Sequence, residues 1–331
     1  MSYNDKIKTE RLFSIFEDNF RITRLYADYL SIFPEIITEE MIRQLEENGI
    51  EAKYAISALL SEIFALDTEE NEKDKRLFRN YILPSVKIID AKKYTDNPYY
   101  KNVKLPDVSL GNWEFKNEAY APFRAVICHD MILNDDFSEI PPLGFFKERF
   151  EFPAVLENGN EWMTLTPVDL DTCEDAIERS RGKVVTFGLG LGYFAYMASL
   201  KQDVESVTVV EKSEKVIELF EKYVLPQFSY PQKIRIVTCD AFEYAEKIMP
   251  TESFDFAFVD TWRDASDGAP MYEKMKKLEH LSRNTEFSYW IENFLISNLR
   301  AHKLTLIREK YENGTLNMSY EDIVTDLKQI P

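Results

Sequence analysis

From Gly182 to Val259 the chain alternates β-prone and helix-prone stretches, and no other feature restricts its fold as much. Lys183–Phe187, Ser206–Val210, Ile234–Thr238 and Phe254–Val259 read as strands. Tyr193–Leu200, Ser213–Val224 and Phe242–Ile248 read as the helices between them. Strands joined by helical crossovers run parallel, so the expected fold class is α/β, a doubly wound Rossmann-like parallel sheet. Glycine is scarce, with 10 in the chain, yet Gly182, Gly188, Gly190 and Gly192 cluster around the first of these strands. Glycines at a strand-to-helix turn allow tight backbone geometry and let a ligand approach without meeting a Cβ.

Three acids close the following strands. Glu211 ends VTVVE about 20 residues beyond the glycines, where a carboxylate accepts hydrogen bonds from ribose hydroxyls. Such a carboxylate, at the open end of a strand, is expected to support little packing. Asp240 ends the third strand, with Ala241 and Phe242 beside it. It suits either an adenine amine or the cap of the helix that follows. Asp260 ends the fourth strand, on the edge of the sheet where crevices open. Asp264 and Asp267 read as solvated loop acids, and Trp262 as either a pocket wall or a packing residue.

In order and spacing, VVTFGLGLGYFA, VTVVEKSEK, IRIVTCDAFEY and FDFAFVDTW resemble the class I S-adenosylmethionine-dependent methyltransferase family, over roughly Gly182 to Trp262. The resemblance implies a fold of that type with S-adenosyl-L-methionine as cofactor. Gly188, Gly190 and Gly192 would face its methionine part, Glu211 its ribose, and Asp240 with Ala241 and Phe242 its adenine. Asp260 would stand near the reacting methyl as the catalytic residue. Where several relatives carry an Asn/Asp-Pro-Pro-aromatic motif, this chain has Asp260-Thr261-Trp262-Arg263, which argues against methylation of amino groups on bases or glutamine. The spermidine-synthase branch shares the acidic strand ends, but its paired-aspartate signature is not evident. The family's antiparallel hairpin has little room before a tail that reads as helical from about Ser297, and Glu286–Phe294 reads as a fifth strand or as the start of that helix.

Upstream, residues 1–95 read as a helical region, 96–170 as a small β subdomain and 171–331 as the cofactor-binding domain. Leu12, Ile15, Phe16 and Phe20 share one helical face, as do Ile56, Leu59, Leu60 and Ile63. Thr38 looks like a helix start and Gly49 a helix stop, while Glu69 to Lys75 reads as a solvated face or connector. In FPAVLENGNEWMTLT, Asn158-Gly159 marks a two-residue hairpin turn. Because this hairpin leads into the helix before the first strand, Trp162, Met163 and Thr166 are expected at the cofactor mouth, with Trp162, Thr166 and Trp262 as substrate-side candidates.

Forty Lys and Arg against 58 Asp and Glu leave a formal charge of −18, which argues against nucleic-acid and anionic-membrane partners. The N-terminus lacks the apolar core of a secretory signal, no apolar run is long enough to span a bilayer, and Cys128, Cys173 and Cys239 form no CxxC pair. A cytoplasmic protein without a metal site is expected, acting on a small-molecule or protein acceptor. Two alternatives stay open. Gly190 to Ala195 also satisfies GxGxxA, as in an NAD(P)-binding oxidoreductase, and a cofactor-binding scaffold without catalysis would keep the same fold.

Overall fold

The computed structural model describes residues 2–330, grouped in two compact units. One is built from the N-terminal segment through Ile89, from Tyr120–Arg149 and from Asn293 onward; the other comprises Asp90–Ala119 and Phe150–Glu292. These boundaries differ from the consecutive segments read from the sequence, because stretches that share a hydrophobic core are not neighbours in the chain.

In the first unit, helices Tyr3–Ile32, Glu39–Glu47 and Ala52–Ile63 pack around Ile22, Tyr26, Ile56 and Leu60, all nearly inaccessible to solvent. Thr38 caps its helix through the N–H of Met41, and Gly49 leaves that helix with φ +81°. Ile56 and Leu60 are buried, with Leu59 and Ile63 packed against the same core. On the first helix the buried stripe runs through Leu12, Phe13, Ile22, Tyr26 and Tyr29, whereas Phe20 is 61% exposed. Near Phe20 the buried face passes instead through Asn19 and Ile22. Asp74, within the charged run, is also buried and pairs with Arg21 at 2.6 Å. The C-terminal helices Glu292–Glu312 and Tyr320–Lys328 add Leu304, Ile307, Ile323 and Leu327 to a core with Leu12 and Phe13.

In the second unit the hairpin strands β1 (Phe150–Glu157) and β2 (Asn160–Thr164) turn through Asn158 and Gly159, both at positive φ, as a two-residue hairpin demands. Helix α1 (Pro167–Arg179) then leads into the parallel sheet. Its strands are β3 (Gly182–Phe187), β4 (Val204–Glu211), β5 (Ile234–Thr238), β6 (Phe256–Val259) and β7 (Glu286–Tyr289), in spatial order β5-β4-β3-β6-β7. Helix α2 (Tyr193–Leu200) follows β3. Every pairing in this sheet is parallel, and the stretch 286–294 resolves into both a strand and the start of a helix.

Val184, Val185 and Phe187 on β3, and Phe256, Ala257 and Val259 on β6, are fully buried, as expected of central strands covered on both faces. Each large side chain there contributes roughly 1.5–3 kcal/mol by leaving water. The fold is therefore a Rossmann-like, doubly wound α/β sheet. Its strand order reverses between β3 and β6, the place where such sheets open a ligand crevice.

Candidate functional site

The turn after β3 lies at that reversal. Gly188 sits at φ +95°, where a Cβ would come within 1.9 Å of the carbonyl oxygen of Asp260, the residue that follows β6. Only glycine lets the two strand ends approach so closely. Asp260 in turn donates its N–H to the Phe187 carbonyl at 2.9 Å, and Gly188 donates to Val210 at 2.9 Å. Tyr99 locks the far side of the turn by donating its hydroxyl to the Leu191 carbonyl at 2.6 Å.

Glu211 is 7% exposed and braces the same turn. Its Oε2 accepts the Leu189 N–H at 3.2 Å and its Oε1 the Ser213 N–H at 2.7 Å. The expectation that a carboxylate here supports little structure is thereby corrected, because two backbone donors depend on it. Each oxygen keeps a second lone pair for an incoming hydroxyl. Asp240 is exposed and caps the helix that starts at Ala241, accepting the N–H groups of Phe242 at 2.9 Å and Glu243 at 3.1 Å. The Phe242 ring carries the Lys274 ammonium 4.0 Å from its centre, a cation–π contact.

Beside Gly188 a cavity of about 20 Å³ is lined by Met163, Asp169, Cys173, Phe194, Phe258, Asp260 and Trp290, among others. The Asp260 side chain is half-buried at the cavity wall. Burial pushes its pKa up to about 8, reinforced by the negative charges of Asp169 and Glu211. Asp169 accepts both the N–H and the hydroxyl of Thr166 at 2.8 Å, and burial raises it to about 6. Burial, with Asp260 and Asp169 nearby, pushes the Cys173 thiol well above the usual range, so it stays protonated and a poor nucleophile. The result is a small chamber lined by two carboxyls with raised pKa values, a setting that favours a cation.

The sequence candidates do not all meet there. Gly188 and Asp260 line the cavity, and Glu211 reaches the turn from the next strand. Thr166 is buried at the start of α1, bound to Asp169. Trp162 packs edge-on against Trp113 with ring centres 5.0 Å apart. Trp262 is buried and stacks near Tyr289 at 6.4 Å, and its Nε1 has no partner. Asp169 was not singled out from the sequence. Its signal was present in Thr166-Pro167-Val168-Asp169, the Thr-x-x-acid pattern of a capping box. Trp290 carried no such signal, since only the β7 ending delivers it to the cavity.

No protein-family model matches the sequence, and no curated protein matches it. Among solved structures, spermidine synthase from Thermotoga maritima aligns at 18% identity over 47% of this chain and 60% of that chain, with a TM-score of 0.32. A spermidine synthase in complex with the transition state analogue AdoDATO aligns at 18% identity over 47% of this chain and 60% of that one, with a TM-score of 0.35. The chain thus spans less than two thirds of the length of these structures. Among the described residues no helix is long and apolar enough to cross a membrane, and no group of three or more His, Cys, Asp or Glu residues is placed to hold a metal ion.

Proposed function

We propose that this chain is a transferase that uses S-adenosyl-L-methionine and passes its methyl group to a small-molecule or protein acceptor. The observation that carries the reading is the approach of Gly188 to Asp260 across the point where the strand order reverses, which sets a half-buried carboxyl beside a glycine turn. The residues present fit a cationic donor, because Asp260, Asp169 and Glu211 all lie close to one small chamber. Gly188, Gly190 and Gly192 would hold the amino-acid end, Glu211 the ribose, and Asp240 with Ala241 and Phe242 the adenine. When bound, the donor supplies a carbon activated by its positive sulfur.

Asp260 supplies the remaining chemistry. Without a ligand its raised pKa keeps it largely protonated at neutral pH. A neighbouring positive charge favours the ionised form and prepares the carboxylate to take the proton of an acceptor as the new bond forms. The apolar walls of Phe194 and Phe258, stacked 4.4 Å apart, exclude water that would compete with the acceptor. Free cysteines at 128, 173 and 239 are in keeping with work in a reducing cytoplasm.

Thermal denaturation with S-adenosylmethionine, S-adenosylhomocysteine, decarboxylated S-adenosylmethionine, NAD and NADP tests the reading. The first two nucleosides should raise Tm and the dinucleotides should not. A shift with NAD or NADP alone would replace the proposal with an oxidoreductase. A shift with the decarboxylated donor alone would replace methyl transfer with aminopropyl transfer.

A further inference from the structure

The glycine turn is covered by one of the protein's own thioethers. Met163 accepts the backbone N–H of Leu191 on its Sδ at 3.1 Å, and the same sulfur lies 2.1 Å from where a Cβ on Gly190 would stand. At Gly190, φ +51°, the space a Cβ would take is therefore filled by Met163. The cavity behind it, about 20 Å³, has room for about one water molecule. Ligand pockets for nucleoside-sized molecules run to ~300 Å³ or more. Something must move before a ligand reaches the turn.

The other walls are poorly suited to move. Gly188 is backbone held by strand hydrogen bonds, Phe194 and Phe258 are buried and stacked, and Asp169 is tied twice to Thr166. Met163 differs in three respects. It is only half-buried, its side chain is unbranched with freely rotating bonds, and its hold on Leu191 is a weak sulfur hydrogen bond. The β1–β2 pairing also shifts register between Val155 and Leu156, beside the Val155–Met163 pair. Such irregularities loosen a ladder and re-aim side chains near binding sites.

We propose that Met163 is a displaceable plug that occupies the glycine turn in the ligand-free protein and sets ligand affinity by competing for the Leu191 N–H and the space over Gly190. The proposal rests on the reading of this turn as a sulfur-nucleoside site. Binding requires the side chain to swing away, so the apparent affinity is the intrinsic affinity reduced by the fraction of molecules already open.

Calorimetric titration of the wild type, Met163→Ala and Met163→Leu with S-adenosylhomocysteine provides the test. Met163→Ala should bind ~10-fold more tightly than wild type, and Met163→Leu, which refills the space, should stay within about threefold of it. Carbon-13 labelling of methionine methyl groups gives a readout that needs no truncated variant to fold. The Met163 resonance, identified by its loss in Met163→Leu, should shift on adding S-adenosylhomocysteine to the wild type. Binding by the wild type with no gain in Met163→Ala, or with an unmoved methyl resonance, overturns the plug and leaves the ligand reading intact. Absence of binding in both wild type and Met163→Ala overturns the ligand reading and the plug with it.

Discussion

The carboxylate of Glu211 receives the backbone N–H of Leu189, 3.2 Å away and in the middle of the glycine turn. A side chain at the end of one strand thus shapes the loop that ends its neighbour. The same carboxylate satisfies Ser213 N–H, so its removal leaves two backbone donors without their partner. Glu211→Ala should cost about 2–4 kcal/mol of stability and weaken S-adenosylhomocysteine binding at least ~10-fold. Glu211→Gln keeps an acceptor and should fall between the two in both respects. Denaturant titration and calorimetry of the folded variants separate the structural effect from the ligand effect.

Asp260 should make stability depend on pH. At low pH the folded and unfolded chains both hold its proton. As pH rises past 3.8 the unfolded chain releases it, while the folded chain keeps it to about 8. Asp260 therefore withdraws stability across that window, and the loss is constant above it. Asp260→Asn should raise stability above pH 8 by about 2 kcal/mol or more, with the gain shrinking to nothing near pH 4. Thermal unfolding of both proteins across this range reads the difference. A gain equal at all pH values would show that burial does not perturb this carboxyl.

Gly188→Ala should damage the turn without touching the hydrophobic core. The added methyl meets a backbone oxygen at 1.9 Å, and no side-chain rotation relieves it. A loss of roughly 2–4 kcal/mol is expected from the clash together with the left-handed backbone. Gly49→Ala offers the control, since it has φ +81° with nothing within 4 Å and should cost only the backbone strain, about 1 kcal/mol.

Asn19 is the polar hub of the first unit. Its Nδ2 donates to the Phe137 carbonyl at 2.8 Å, and its Oδ1 accepts Tyr81 O–H at 2.9 Å and Glu139 N–H at 3.0 Å. Asn19→Ala strands three buried groups and should cost about 3 kcal/mol or more, measured as a lower urea midpoint. Asn19→Asp retains the acceptor and should retain part of that stability.

Much of the second unit was legible in the chain because its signals are local. Apolar runs bounded by helix-forming stretches specify β3, β4, β5 and β6, and Asn158-Gly159 specifies the hairpin turn. The glycines at 188, 190 and 192 announce themselves by composition. Phe20, exposed where periodicity buries it, marks the limit of such reasoning. A face is defined by what packs against it, and here that partner includes Ile307 and Leu327, hundreds of residues away in sequence.

Between Gly182 and Val259 the sequence by itself determined the kinds of element, their order and the acids at the strand ends, since each depends on residues within one turn or one strand, whereas within residues 1–95, read as helical, Val86–Ile89 is a strand. The tertiary structure alone decided what those residues do. It turned Glu211 into a brace by setting β4 beside β3, and it raised Asp260 by enclosing it near Asp169 and Glu211. It also laid Met163 over Gly190 by folding the hairpin onto the turn. Burial, charge coupling and steric exclusion are properties of neighbours in space, and those neighbours exist only once the strands have taken their places in the sheet.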